Sequence, residues 1–264
     1  MRITSWLGRL RSQIRTSRFL GQTRQRRQPS VAGTQIEALE HRVYLSAVSW
    51  DGGGDGVHWS DPLNWSSNAL PGATDDVTIN FGNATVSHDS GNDSIHSLTS
   101  ANKLSLNGGT LAINGPATIS SDFTLSGGDL SGTGDVTVSG VLAWTGGRMD
   151  GTGRTIVSAA GILNMSVASD KFLDRVLVSN GTGTWTAGLF RMNGGTFQNN
   201  GTFTATTSGT LESFGDGGVN SVVNAGTFNE QGTGTTRFRG NNADVAFSNS
   251  GTVNVQQGTL QLMT

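Results

Sequence analysis

The 264-residue chain has no cysteine, one tyrosine and four prolines, and only 14% of it is charged. Without cysteine there is no disulfide scaffold, no thiol nucleophile and no cysteine-ligated zinc. An ordinary helix-rich domain would carry roughly a quarter of its residues as Asp, Glu, Lys and Arg, so that class is excluded. No apolar run approaches the ~18 residues of a membrane-spanning helix. Core formers are scarce too. Leu (21), Val (19), Phe (11) and Ile (9) stand just above the level, about a fifth of the chain, below which folding usually fails. What abounds is Gly (39), Thr (32), Ser (29) and Asn (20). Glycine and β-branched residues disfavour helices, so the composition points to an all-β chain of extracellular type.

Charge divides the chain. Residues 1–47 hold nine arginines against Glu37 and Glu40, whereas residues 48–264 hold eight basic and seventeen acidic residues. A basic arm on a mildly acidic body is the expectation. In the arm, Ile3, Trp6, Leu7, Leu10 and Ile14 recur at helical spacing among arginines. That pattern suits a targeting segment, a short amphipathic helix on an anionic membrane surface, or a disordered arm. No fold-forming pattern surrounds the arginines, so nucleic acid is not expected as a partner.

Leu39-Glu40-His41-Arg42-Val43-Tyr44-Leu45-Ser46-Ala47 resembles the LEPRxLLSA-type motif near the start of many planctomycete extracellular proteins. It departs from that motif at His41 and Tyr44. Trp50 to Gly56, Trp59, Asn64-Trp65, Pro71-Gly72 and Asp75-Asp76-Val77 resemble the segment that opens such proteins, which often continue into Gly-rich β repeats. The resemblance implies export or surface display, with Leu39, Glu40, Arg42, Leu45, Ser46 and Ala47 as the export motif, and it implies no catalytic activity.

From residue 101 a glycine-centred frame recurs. With Gly115, Gly140, Gly161, Gly181, Gly201, Gly226 and Gly251 as anchors, the steps are 20–25 residues. The positions four before, two after and four after each anchor are almost all apolar, and polar residues alternate with them. Alternation marks strands with one buried face. A spacing too short for crossover helices suits coils stacked as a solenoid. Gly108-Gly109, Gly127-Gly128, Gly146-Gly147 and Gly194-Gly195 mark turns, and Met149, Leu211, Phe238 or Leu260 mark a third strand.

Two residues before the last three anchors stand Asn199, Asn224 and Asn249. Stacked at the ~4.8 Å strand spacing, carboxamides can satisfy one another as a ladder inside a bend. The expected fold is therefore a right-handed parallel β-helix, with a β-sandwich or propeller as the alternative; three surface asparagines in turns would be the plainer reading. Glu230 falls on an inner row, where a lone carboxylate is costly, so its coil is expected to bulge or end early. The expected organisation is a basic export arm over 1–47, disordered or partly helical, then a Trp-rich cap over 48–100 built on Trp50, Trp59 and Trp65. Coils follow over 101–264. Because the pattern stops inside a strand, either further coils or end-to-end association is expected at the C-terminus.

Chemistry is sparse. The four histidines precede the repeats without HExxH spacing, and no phosphate-binding glycine loop occurs. Asp51, Gly53, Asp55 and Gly56 mimic half of a calcium loop, but Pro62 stands where the bidentate Glu belongs. No catalytic, cofactor or metal residue is assigned. The function expected is a secreted or cell-surface, adhesin-like structural solenoid, not an enzyme, whose partners are extracellular polysaccharide or cell-envelope components. The alternatives are a polysaccharide lyase or hydrolase using Asp129, Asp135, Asp150, Arg148 and Arg154, or a carbohydrate-binding module stacking sugars on the cap tryptophans.

Overall fold

A computed structural model describes residues 45–214, 218–240 and 244–262. The targeting segment and Leu39, Glu40 and Arg42 lie outside them. Short strands, most of them three or four residues long with alternating burial, form three all-parallel sheets. The first sheet has ten strands and runs from Ser46–Ser49 through Asp75–Ile79 to Val245–Asn249. The second and third have nine each, from Thr85–His88 to Thr252–Val255 and from Asn92–Ile95 to Thr259–Leu262. The chain visits the three in turn, so each circuit is one coil, and nine coils stack into a parallel β-solenoid.

The coils begin at Asp75, within the stretch expected as cap, and Ser46 and Ala47, expected in the export arm, already pair with Asp75 and Asp76. Leu98, Ala117, Val136 and Thr155 succeed one another in register at steps of 19 residues, shorter than expected. The steps widen to 25 between Phe197, Val222 and Phe247. Val, Leu and Ile fill most of the short coils, with Phe123 and Trp144 among them, and aromatic side chains take over in the C-terminal coils. Phe190, Phe197, Phe203, Phe228, Phe238 and Phe247 form a continuous aromatic column there, with centroids 4.8–5.8 Å apart. Gly183 leaves the space of its absent Cβ to the Phe203 ring.

Gly140, Gly161, Gly181, Gly201, Gly226 and Gly251 do stack at the corner between the first and second sheets, each against the backbone one coil below. Gly115 does not belong with them. It lies under Gly134 and Gly153 at the corner that leads into the first sheet. The 25-residue step assigned to it spans one 19-residue coil and part of the next, so Leu111 sits on the third sheet and Ala117 and Ile119 on the first. Val157 likewise pairs with Val138, two residues off the expected row, because Ser158-Ala159-Ala160 lengthens that corner. Met149, Leu211, Phe238 and Leu260 all fall on the third sheet, on three different rows.

Asn199, Asn224 and Asn249 stand in register. The Asn199 Nδ2 donates to Asn224 Oδ1 at 2.7 Å, and the Asn224 Nδ2 to Asn249 Oδ1 at 2.6 Å. The same amides also reach the carbonyls of Thr227 and Thr252. Below them the row continues as Ser179, Val157, Val138 and Ile119.

Glu230 corrects an expectation. Its strand, Thr227–Glu230, keeps the length and register of its neighbours. The fully buried carboxyl turns back and accepts the Gly232 N–H at 2.8 Å, while burial raises its pKa above the usual range. One backbone donor, with the carboxyl's pKa raised by burial, takes the place of the bulge.

The cap tryptophans are buried. Trp65 packs edge-on against Trp59 (4.7 Å) and Trp50 (4.9 Å) and donates its indole N–H to the Trp59 carbonyl.

Candidate functional site

With the lumen filled, chemistry can act only at the outer faces and corners. The outward row of the third sheet carries most of it. Asp129, Arg148, Phe172, Arg191, Glu212 and Arg239 follow one another in register on six successive strands. The glycine pairs that precede Asp129 and Arg148 predict them to be stack neighbours, and they are. The Arg148 guanidinium lies 5.1 Å from the Phe172 ring centre and that of Arg191 lies 5.0 Å from Phe214, while the two rings meet at 5.5 Å. Glu212, almost buried, accepts from Arg191 (2.6 Å) on one side and from Arg239 Nε (3.0 Å) on the other, and Arg191 also reaches Asp170 at 2.7 Å.

The suspected catalytic group divides in two. Arg148 bonds Asp174, which no sequence pattern singles out, rather than Asp150. Arg154 and Asp135 pair with each other at 2.6 Å on the first sheet. Burial raises the pKa of Asp129 and of Asp174, the Asp150 charge adds to both, and Arg148 opposes. Arg175, almost fully buried behind them, donates to the carbonyls of Gly153 and Gly134, and burial pulls its pKa down to about 10. Among the described residues no group of three or more His, Asp or Glu is placed to hold a metal ion.

The carboxylates of the cap loop bond their own backbone. Asp51, Asp55 and Asp61 accept backbone N–H groups of their own loop, and Asn64 Oδ1 takes those of Gly54 and Gly56. Buried as they are, Trp50, Trp59 and Trp65 offer no platform for a sugar. A corner recess of about 170 Å³ beside Lys103 and Ser121 is walled by Asn102, whose amide is taken up by the carbonyls of Phe81, Gly82 and Ala84.

Lys171 carries no sequence signal at all. On the strand Lys171–Leu173 it is the lysine that points inward and Phe172 that points out. Its ammonium, with no exposed surface, donates to the carbonyls of Val167, Ser169 and Ala187 at 3.0–3.2 Å, and burial pulls its pKa from 10.5 to about 8. A base whose pKa is depressed by folding binds its proton more weakly in the native state. Stability should therefore rise as pH increases from about 8 to 10.5. Urea midpoints measured across that interval should climb in the native protein, and Lys171→Met should remove that limb; an unchanged limb in the variant would exclude Lys171 as its source.

The fold thus defines the class: a parallel β-solenoid with an amide ladder, an aromatic column and one charged outer row. Comparison with protein-family models, curated proteins and solved structures finds no match. Among the described residues no helix is long and apolar enough to cross a membrane.

Proposed function

We propose that the protein is an extracellular or cell-surface structural solenoid with an adhesin-like role and no catalytic activity of its own. The observation that carries this reading is the repetition itself. Nine coils of one design create outer faces rather than a cleft, and stacked repeats serve as rigid spacers with extended binding surfaces. The second sheet supports it from the side. Its outward rows over the last coils are uncharged, with Thr182, Thr202, Thr227 and Thr252 on one and Thr184, Thr204, Asn229 and Asn254 on the other. Such a face tolerates variation and suits polysaccharide or cell-envelope material. The resemblance of residues 39–47 to a planctomycete export motif is the ground for the location.

The polysaccharide-cleaving alternative is favoured by one observation, the carboxyls of Asp129 and Asp174 raised toward protonation beside Arg148. Incubation with acidic polysaccharides, with and without Ca²⁺, separates the two. No new reducing ends are expected. Release of them that is lost in Asp150→Ala or Arg148→Ala would replace the structural reading with an enzymatic one.

A further inference from the structure

We propose that the outer face of the second sheet binds crystalline arrays of uncharged, N-acetylated sugar chains, an assignment that rests on the structural, adhesin-like reading above.

The two uncharged tracks that begin at Thr182 and Thr184 have a third beside them. Two residues further along each coil stand Thr186, Thr206, Gln231 and Gln256. They are kept in step by the bonds Thr206 N–H to Trp185 O, Gln231 N–H to Ala205 O and Gln256 N–H to Glu230 O. Together the tracks make a lattice in which every member is a hydroxyl or an amide. Its repeats are ~4.8 Å from coil to coil and ~6.6 Å along a strand, the length of two residues. The fold does not demand this composition. Lower on the same sheet the Thr182 track is occupied by Ile162 and Val141, then by Asp122 and Lys103, an ion pair at 2.9 Å.

The lattice is ordered before any partner arrives. Threonine is stiff at χ1. On the middle track Asn254 Nδ2 donates to Asn229 Oδ1 at 3.0 Å, and Asn229 Nδ2 reaches Thr204 Oγ1 at 3.5 Å. On the third, Gln231 Nε2 donates to Gln256 Oε1 at 2.7 Å. The hydroxyls of Thr182, Thr202, Thr227 and Thr252 bond nothing among the described residues and point outward. Each is a donor and an acceptor, and little rotamer freedom remains to be lost on binding.

Two properties select the partner. The first is charge. The three tracks carry none, while residues 48–264 as a whole hold seventeen acidic residues against eight basic. That body repels a polyanion and draws a polycation to its acidic faces instead. The second is the repeat. A spacing of ~4.8 Å is what backbone amide bonds impose on neighbouring strands. Sugar chains joined through their acetamido groups use the same N–H···O=C bond, whose length sets a matching distance between chains. Rows of acetamides can therefore continue the Asn229–Asn254 ladder while ring hydroxyls meet the threonines. A polymer without amides has its chain spacing set by other contacts.

The test is depletion of the full chain from solution by crystalline chitin, by cellulose, which lacks the acetamido group, and by chitosan, where an amine replaces it. Chitin should retain at least about tenfold more protein than either, because unmatched polar groups weaken binding. Retention should be the same in dilute buffer and in ~1 M salt, where a charge-driven contact fades. Thr202→Lys and Asn229→Lys set an unpaired charge in the lattice and should lower retention about tenfold or more. Thr137→Lys, on the outer face of the first sheet, should leave it unchanged. Should the lattice variants fail to fold, Asn254→Asp, which changes charge with almost no change of shape, takes their place. Equal retention on cellulose, retention on none of the three, or an equal loss in Thr137→Lys would overturn the acetamido lattice and leave the structural reading standing. Soluble sugar released from chitin would overturn that reading, and the lattice assignment with it.

Discussion

Replacing Asn224 by alanine is expected to lower the unfolding free energy by about 3 kcal/mol, since each buried polar group left unpaired costs about 1–3 kcal/mol. Asn224 is the middle rung, fully buried. Its removal takes the acceptor from Asn199 Nδ2 and the donor from Asn249 Oδ1 and from the Thr252 carbonyl. A void replaces the amide beside the buried Asn199, while Asn249 on the other side is exposed and can turn to water. Asn200, one residue further on from Asn199 and exposed, is the control. It bonds Asn180 outside the coil, and its replacement by alanine should cost less than about 0.5 kcal/mol. Urea midpoints at unchanged m-value measure both. Equal shifts in the two variants would show that the ladder carries no special share of the stability.

Gly201→Ala should be at least as damaging, by about 3 kcal/mol or more, at the upper end of what overpacking costs. The reason is proximity rather than backbone angle. A Cβ at Gly201 would lie inside the van der Waals envelope of the Gly181 carbonyl oxygen, and Gly181, Gly226 and Gly251 repeat that contact up the corner. Relief requires coils to move apart, which breaks the flanking ladder bonds in three sheets at once. Gly82 is the contrast. It has a left-handed φ of 54°, but a methyl group there would meet nothing within 4 Å, so Gly82→Ala carries only the conformational cost, about 1 kcal/mol. Thermal unfolding should separate the pair by several degrees. A Gly201→Ala protein that melts with Gly82→Ala would mean that the corner is slack.

Much of this architecture is legible in the chain, and the errors share one cause. From Gly140 onward each coil repeats a glycine at the same corner, and the alternation beside it gives inner rows and the asparagine stack. Before that the corner is Ser121, not glycine. A frame anchored on glycine therefore slips to Gly115 at a different corner, and the first coil, whose inner positions include His88, passes for cap. Lys171, Phe172 and Leu173 show the same limit in reverse. Period-two alternation says that neighbours face opposite ways but not which face is inside, and three backbone carbonyls decide in favour of the lysine. Of the charged outer row, Asp129 and Arg148 are legible because homologous turns precede both. Asp174, Arg191 and Glu212 are not, since partners 21 to 27 residues apart share no local signal.

The chain by itself determined the β class, the stacking of coils and the amide ladder, because these arise from spacing repeated along one dimension. Only the tertiary structure decided where the first coil starts, which charges pair and which polar groups are enclosed. Those depend on register between coils of unequal length, and residues added at a corner change the sequence separation of every pair that spans it.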